Sequence, residues 1–434
     1  MNQANSASIQ PVGSIDSSIR PPGSKSITNR ALVCAALAQG KSTLTGVLAS
    51  DDTRVMIEAW IQLGLELDHD LSVAEVSLKG CAGSSSVTSG DIFVGNSGTT
   101  IRFLAAALCV LQGEFRLDGV ARMRERPIGD LLTALRELGA QVDSLNSEKS
   151  DCPPIHIVAS GLSGGKAQVK GDISSQFLSG LMLASPMAES DVGLEIVGDL
   201  VSVPYVEMTA EVMRSFGARV DLEFPRIRIQ AGSKYQAREY SIEPDASAAS
   251  YFWAAAAITG GLAEVKGLSR GSLQGDVGFC DVLAQMGCEV DYGDNQITVR
   301  SNRQLRGIEV NMANISDTVQ TLAAVALFAA GPTTVRGVAH NRVKETDRIG
   351  DLATELRKLG ADVTEFDDGM KITPPEKVQP ATLDTYDDHR MAMSLALTGL
   401  RAEGIKINDP DCTSKTYPGY WDDLATFSGS IIRR

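Results

Sequence analysis

One phrase recurs along the chain and limits what the chain can fold into. It reads Trp60-Ile-Gln-Leu-Gly64-Leu-Glu-Leu, Leu135-Arg-Glu-Leu-Gly139-Ala-Gln-Val, Met213-Arg-Ser-Phe-Gly217-Ala-Arg-Val, Leu283-Ala-Gln-Met-Gly287-Cys-Glu-Val and Leu356-Arg-Lys-Leu-Gly360-Ala-Asp-Val. The glycines lie 75, 78, 70 and 73 residues apart. Each copy has apolar residues at helical spacing, then a glycine suited to a helix end, then the start of a strand. A weak sixth copy begins at Tyr420-Trp421. A second series, of Ala-rich helices ending near Gly40, Gly113, Gly260, Gly331 and Gly404, runs out of phase with the first, and Phe177–Ala184 fills its gap. Hairpin-like stretches follow the repeated phrase, as in Val363-Thr-Glu-Phe-Asp-Asp-Gly369-Met-Lys-Ile372, where Asp-Gly separates two alternating runs. Six units of about 72 residues, each helix, strand, helix and hairpin with a lead-in strand, account for the 434 residues.

The units group into halves. Ser18-Ile-Arg-Pro-Pro-Gly-Ser24 and Ser241-Ile-Glu-Pro-Asp-Ala-Ser247 share the pattern S-I-x-P-x-x-S about three units apart. A domain of three units is expected at 21–241. A second is expected at 242–434, completed by residues 1–20, with hinges near Pro21-Pro22 and Glu243-Pro244.

Charge narrows the partners. Forty Lys and Arg against 54 Asp and Glu give −14, which argues against a general nucleic-acid or acidic-membrane surface and leaves room for a local basic pocket. The seven cysteines form no C-x-x-C pair, there is no H-E-x-x-H, and no apolar run approaches the roughly 20 residues of a bilayer span. Residues 1–17 carry no signal-peptide pattern. A soluble cytoplasmic protein is expected. Gly40-Lys41-Ser42 ends like a Walker A loop, but Ala35 stands where the earlier glycine belongs.

The chemistry sits where the repeats differ. The Ala-rich helices start at Gly23-Ser-Lys-Ser-Ile-Thr-Asn-Arg30, Gly95-Asn-Ser-Gly-Thr-Thr-Ile-Arg102, Gly171-Asp-Ile-Ser-Ser-Gln176, Asp245-Ala-Ser, Ser316-Asp317-Thr and Asp387-Asp388-His-Arg390. Small hydroxyl residues and Gly at a helix start aim backbone N–H groups outward, at an anion. A cap needs no arginine, yet Lys25, Arg30, Arg102 and Arg390 stand within a turn or two. A second cluster occupies the segments between paired helices: Arg122-Met-Arg-Glu-Arg126-Pro-Ile, Ser202-Val-Pro-Tyr205, Asn341-Arg-Val-Lys344-Glu345-Thr-Asp347-Arg348 and Lys415-Thr-Tyr-Pro. Their common place in the period predicts that they share one end of each domain and line an anion-binding cleft between the domains. Several Arg and Lys would fix phosphate or carboxylate groups there, and a Lys–Glu pair would exchange protons.

The strings PGSKSITNRAL, GNSGTTIR, RMRERPI, GDISSQF, SVPY, NRVKETDR, YDDHRMAM and SKTYPGYW, from about 18 to 421, resemble the 5-enolpyruvylshikimate-3-phosphate synthase family in order and spacing. The resemblance implies an α/β (α+β) fold of two domains, each of three βαβαββ repeats, in the inside-out barrel arrangement of the enolpyruvyl transferases. It implies transfer of the enolpyruvyl (1-carboxyvinyl) group of phosphoenolpyruvate to the 5-hydroxyl of 3-phosphoshikimate, with release of phosphate, by addition and elimination through a tetrahedral ketal. It implies no metal, no organic cofactor, and a monomer acting on two small molecules in the route to chorismate and aromatic amino acids. By matching motif, Lys25, Ser26, Arg30, Ser174, Ser175, Gln176, Ser202, Tyr205, Asp317, Asn341 and Lys344 would meet 3-phosphoshikimate. Lys25, Asn96, Gly98, Arg126, Gln176, Arg348, His389, Arg390 and Lys415 would meet phosphoenolpyruvate. Asp317 would be the base on the 5-hydroxyl, Glu345 would exchange the methylene proton with help from Lys344, and Lys25, near phosphoenolpyruvate, would complete the catalytic group. The first domain would bind mainly 3-phosphoshikimate and the second mainly phosphoenolpyruvate.

The chain departs from the common family pattern at Ser97, where alanine is frequent, and at Thr100-Ile101. Gly98 is kept, which implies room for the inhibitor glyphosate. Two other readings stay open at this point. A sister transferase acting on UDP-N-acetylglucosamine usually carries a reactive cysteine in a glycine-rich loop, and Arg122–Pro127 has none. An RNA cyclase shares related repeats, against which the net charge argues.

Overall fold

A computed structural model describes residues 5–70 and 72–433, and the expected first residues of the N-terminal segment, 1–4, lie outside them. The chain divides into two compact units, Gly23–Ile242 and Met1–Pro22 with Glu243–Arg434. Each unit holds three four-stranded sheets.

The repeat is plainest at residues 89–160. Strand Ser89–Phe93 runs parallel to Gln112–Asp118 across helix Gly98–Cys109, and helix Gly129–Glu137 leads to the hairpin Gln141–Ser144 and Ile155–Ser160. Ile92 pairs with Leu117, and Phe115 with Ile157, so one face of this sheet is apolar. The order is strand, helix, strand, helix, hairpin: one βαβαββ unit. The glycines of the recurring phrase sit where helix must turn into strand. Gly64, Gly139, Gly217, Gly287 and Gly360 have φ of 85°, 94°, 90°, 108° and 91°, a region costly for residues with a Cβ.

Three repeats borrow strands from far along the chain. In the unit Gly23–Ile242, the lead-in strand of the first repeat is Glu239–Ser241, parallel to Gln39–Thr45. In the other unit, Ile15–Ile19 runs parallel to Gly261–Lys266. Among the described residues the sixth repeat has no hairpin of its own. There Ser6–Ile9 pairs antiparallel with Ile405–Asn408 and with Ile432–Arg433. Both borrowed lead-in strands end at the two S-I-x-P-x-x-S copies, which is why those copies match.

The Ala-rich helices are buried nearly all round, as helices at the centre of a unit must be. Lys25–Leu37, Gly98–Cys109 and Ser175–Ala184 pack on one another. A Cβ on Gly180 would sit 2.8 Å from the Arg102 carbonyl oxygen, so the last two approach at a distance only glycine allows. In the other unit, Ala246–Thr259, Val319–Ala326 and His389–Ala396 are joined by buried hydroxyls: Ser250 Oγ lies 3.1 Å from Thr321 Oγ1, which lies 3.3 Å from Ser394 Oγ. No helix is long and apolar enough to cross a membrane among the described residues.

Candidate active site

In the unit Gly23–Ile242 the expected residues stand at the starts of the central helices. Ser24 caps Lys25–Leu37, Ser97 caps Gly98–Cys109 and Ser174 caps Ser175–Ala184, each side chain accepting a backbone N–H. Ser97, the departure from the family pattern, is buried, and its Oγ lies 2.8 Å from Thr100 Oγ1, so the serine works as a cap. Lys25 Nζ lies 3.4 Å from Asp52 Oδ2, and the Asp52 carbonyl accepts from Thr100 Oγ1 at 3.5 Å, which ties the first helix start to the second.

Arg30 is 2% exposed. Its Nε donates to Thr209 Oγ1 at 2.7 Å, one Nη1 hydrogen to the Ser26 carbonyl at 2.8 Å, and Nη2 to Ser179 Oγ at 3.1 Å and the Tyr205 carbonyl at 3.3 Å. Among the described residues this guanidinium hydrogen-bonds only neutral oxygens and keeps one Nη1 hydrogen for something else. Burial lowers its pKa to about 10, so it stays charged at neutral pH. Arg102 stands one turn into helix Gly98–Cys109. It donates to Gln176 Oε1 at 2.8 Å, the Gly98 carbonyl at 3.2 Å and the Pro127 carbonyl at 3.2 Å, linking two helix starts. Gln176 Nε2 in turn donates to Thr99 Oγ1 at 3.3 Å. Arg126 Nη1 reaches Asn96 O and Oδ1 at 3.3 and 3.4 Å. A Cβ on Gly98 would meet Arg126 Nη2 at 2.5 Å and Arg102 Nη1 at 2.7 Å, so glycine is needed for these two guanidiniums to stand side by side. Ser175 is buried in the first turn of its helix. Ser202, also buried, opens helix Val203–Ser215 at φ 56°, a strained position for a residue with a side chain.

The other unit gathers its expected residues around Asp317. Lys344 Nζ lies 2.7 Å from Asp317 Oδ1, Arg348 Nη1 3.3 Å from the same oxygen, and Arg390 Nη2 2.7 Å from Oδ2. Arg348, whose side chain is 2% exposed, also contacts Glu345 Oε2 at 2.9 Å and grips Asp388 through Nε at 2.7 Å and Nη2 at 3.2 Å. Burial opposes its charge, but Asp388, Glu345 and Asp317 outweigh burial and push its pKa up. Lys415 Nζ stands 4.0 Å from Glu345 Oε1. Asn341 Nδ2 donates to the Ser316 carbonyl at 3.1 Å. His389 is buried with Nδ1 3.7 Å from Asp388 Oδ1.

Burial, helped by Arg348, lowers the pKa of Lys344, while Asp317 opposes the shift. A lysine with a lowered pKa is better able to give and take a proton. Behind Asp317 sit groups that sequence reasoning missed. Asp276, in the turn Gly275–Gly278, accepts from Ser247 Oγ and is raised to about 6, first by burial and then by Asp317. His340 is buried beside Lys344, Asp317 and Arg348, and burial lowers it to about 3. Asp388 had a usable signal, because it holds the cap position that Ser24, Ser97 and Ser174 hold in other repeats. His340 and Asp276 had none.

The sequence matches the family EPSP synthase (3-phosphoshikimate 1-carboxyvinyltransferase) over residues 9–424. The 3-phosphoshikimate 1-carboxyvinyltransferase of Aliivibrio salmonicida is 48% identical over 427 residues, 98% of this chain and 99% of that protein. That of Photobacterium profundum is 48% identical over the same length and shares. The solved EPSP synthase from Acinetobacter baumannii superposes with a TM-score of 0.82 at 25% identity, covering 99% of this chain and 100% of its own. The enolpyruvyl transferase NikO from Streptomyces tendae shares the fold at 19% identity, with a TM-score of 0.79 over 99% of this chain and 98% of that one.

Proposed function

The chain belongs to the EPSP synthase family, and from that premise we propose an assignment of roles to its residues in the transfer of an enolpyruvyl group from phosphoenolpyruvate to the 5-hydroxyl of 3-phosphoshikimate. The transfer is a step of the shikimate route to aromatic amino acids.

Asp317 takes the proton of the 5-hydroxyl as its oxygen attacks C2 of phosphoenolpyruvate, and Glu345, with Lys344, delivers a proton to the methylene carbon. The product of this addition is a tetrahedral ketal. In the elimination Glu345 takes a proton back from the new methyl group, the double bond re-forms, and the C2–O bond to phosphate breaks. The observation that carries this reading is the meeting of Asp317 with Lys344 at 2.7 Å, Arg390 at 2.7 Å and Arg348 at 3.3 Å. A base, a proton-exchanging lysine and two guanidiniums within one hydrogen-bonded group suit a reaction in which a proton moves while phosphate charge develops.

Binding divides between the units. Arg30, Ser26, Ser174, Ser175, Gln176, Ser202 and Tyr205 hold 3-phosphoshikimate, with Asn341 and Lys344 from the second unit. Asn96, Gly98 and Arg126 hold phosphoenolpyruvate together with Arg348, His389, Arg390 and Lys415, and Lys25 serves both. Glyphosate competes with phosphoenolpyruvate at this place, and the protein works as a cytoplasmic monomer without nucleic acid.

The test is phosphate release from phosphoenolpyruvate. Release that requires 3-phosphoshikimate and is not supported by UDP-N-acetylglucosamine supports the reading; release without either acceptor refutes it. Glu345→Gln and Asp317→Asn should each lower kcat by about 10²–10⁴-fold with little change in substrate affinity.

A further inference from the structure

A buried glutamate outside the groups assigned above connects two segments that carry them. Glu355 lies on helix Gly350–Lys358, which begins two residues after Arg348, and its side chain is fully buried. Its carboxylate takes three donors: the Asp384 backbone N–H on Oε2 at 3.0 Å, the Tyr386 hydroxyl on Oε1 at 2.7 Å, and Lys358 Nζ on Oε2 at 2.8 Å. Lys358 also reaches Asp384 Oδ2 at 2.7 Å.

What Glu355 grips is strained. Tyr386 and Asp387 are consecutive residues with φ of 56° and 55°, a left-handed conformation that side-chain-bearing residues avoid. Such a turn persists only when its surroundings over-determine it; here the Asp388 N–H donates to the Thr385 carbonyl at 2.9 Å, Asn408 Nδ2 to Asp384 Oδ1 at 2.7 Å, and the Glu355 carboxylate takes the Tyr386 hydroxyl inside the turn itself. Directly after the turn come Asp388 and Arg390. Asp388 caps its helix through the Arg390 N–H at 2.8 Å and holds Arg348 with both oxygens. The stretch 344–358 and the segment 384–390 are therefore joined twice, once by Arg348–Asp388 and once by Glu355 behind them.

We propose that Glu355 is a positioning residue for the reaction: through Asp384 and Tyr386 it holds the strained turn that sets Asp388 and Arg390 against Arg348 and Asp317. The inference rests on the assignment of Arg348 and Arg390 to phosphoenolpyruvate. It goes beyond that assignment by giving a function to a carboxylate that touches no substrate.

The experiment compares three variants by steady-state kinetics with both substrates. Tyr386→Phe removes one hydrogen bond from a ring that is 38% exposed, so the fold should survive it. Glu355→Ala removes the clamp, and Arg390→Ala reports on the assignment beneath it. The expected result is a KM for phosphoenolpyruvate raised about three- to tenfold by Tyr386→Phe and more by Glu355→Ala, with the KM for 3-phosphoshikimate within about twofold. A merely structural role would move both constants or neither. If Arg390→Ala raises the KM for phosphoenolpyruvate while the other two leave it unchanged, the positioning role is wrong and the assignment stands. If Arg390→Ala also leaves it unchanged, the assignment fails and the positioning role fails with it.

Discussion

Arg30 and Arg348 are the same residue type, both 2% exposed or less, one in each unit, and their surroundings are opposite. Arg348 faces three carboxylates, of Asp317, Glu345 and Asp388, which raise its pKa. Arg30 faces hydroxyls and carbonyls, and burial lowers its pKa to about 10. Among the described residues each uses four of its five N–H donors and keeps one on Nη1. The difference shows two ways of holding a buried cation. Around Arg348 the protein supplies the counter-charge and gains a rigid ion-paired frame. Around Arg30 it supplies only dipoles, so the charge is left for an incoming anion to neutralise.

The comparison can be broken most directly at Arg348. Arg348→Ala removes the guanidinium that both oxygens of the fully buried Asp388 accept from, while Asp317 keeps Lys344 and Arg390, and should cost about 3–5 kcal/mol of stability in urea unfolding. Arg30→Ala leaves only neutral groups behind. It should cost the unliganded protein roughly 1–2 kcal/mol, and less than Arg348→Ala costs. Its main effect should be on the KM for 3-phosphoshikimate, raised about 30- to 100-fold, and Arg30→Lys should not restore it, because a point charge cannot reproduce the fork. Equal stability losses for the two alanine variants would erase the distinction.

A pH series sharpens the comparison at the carboxylate-rich centre. His340 has a native pKa of about 3 against an ordinary 6.5. Between those values the unfolded chain binds the extra proton, so stability rises with pH through this window and the contribution is complete above 6.5. Asp276, raised to about 6 from 3.8, acts in the reverse sense: between those values the folded chain binds the extra proton, and stability falls as pH rises. His340→Gln should therefore flatten or invert the acid dependence seen in denaturant midpoints from pH 4 to 6.5. An unchanged slope would mean that the imidazole takes a proton without penalty beside Lys344 and Arg348. The smallest effect is expected at Gly98→Ala, where the new Cβ must displace Arg126 or Arg102. A KM for phosphoenolpyruvate raised roughly tenfold, with that for 3-phosphoshikimate little changed, is the expected outcome.

Much of the fold is legible in the sequence because its signals are local. Gly64, Gly139, Gly217, Gly287 and Gly360 are needed for a positive φ at each helix end, and a repeated need leaves a repeated letter. The helix starts are legible through their caps, so Lys25, Gly98 and Gln176 could be found by position. What stays hidden is the far partner. Asp52 pairs with Lys25 from an ordinary helix, Asp276 faces Asp317 from 41 residues away, and Glu355 meets Tyr386 across 31 residues. An acidic residue in a helix or turn reads as solvated surface, and only tertiary structure shows that it is buried. Arg102 lies between these cases: its place at a helix start is visible, but its bond to Gln176 is not.

The borrowed strands bear on how the polypeptide is made. Gly23–Ile242 is one continuous stretch and can complete its three sheets as soon as it leaves the ribosome. Ser6–Ile9, made before that stretch, pairs with Ile405–Asn408, made long after it. At translation rates of about 5–20 residues per second, that first strand waits roughly 20–80 s for its neighbour. The nascent chain thus carries an unpaired edge past a finished domain, and the interval invites chaperone capture or wrong pairing with another chain.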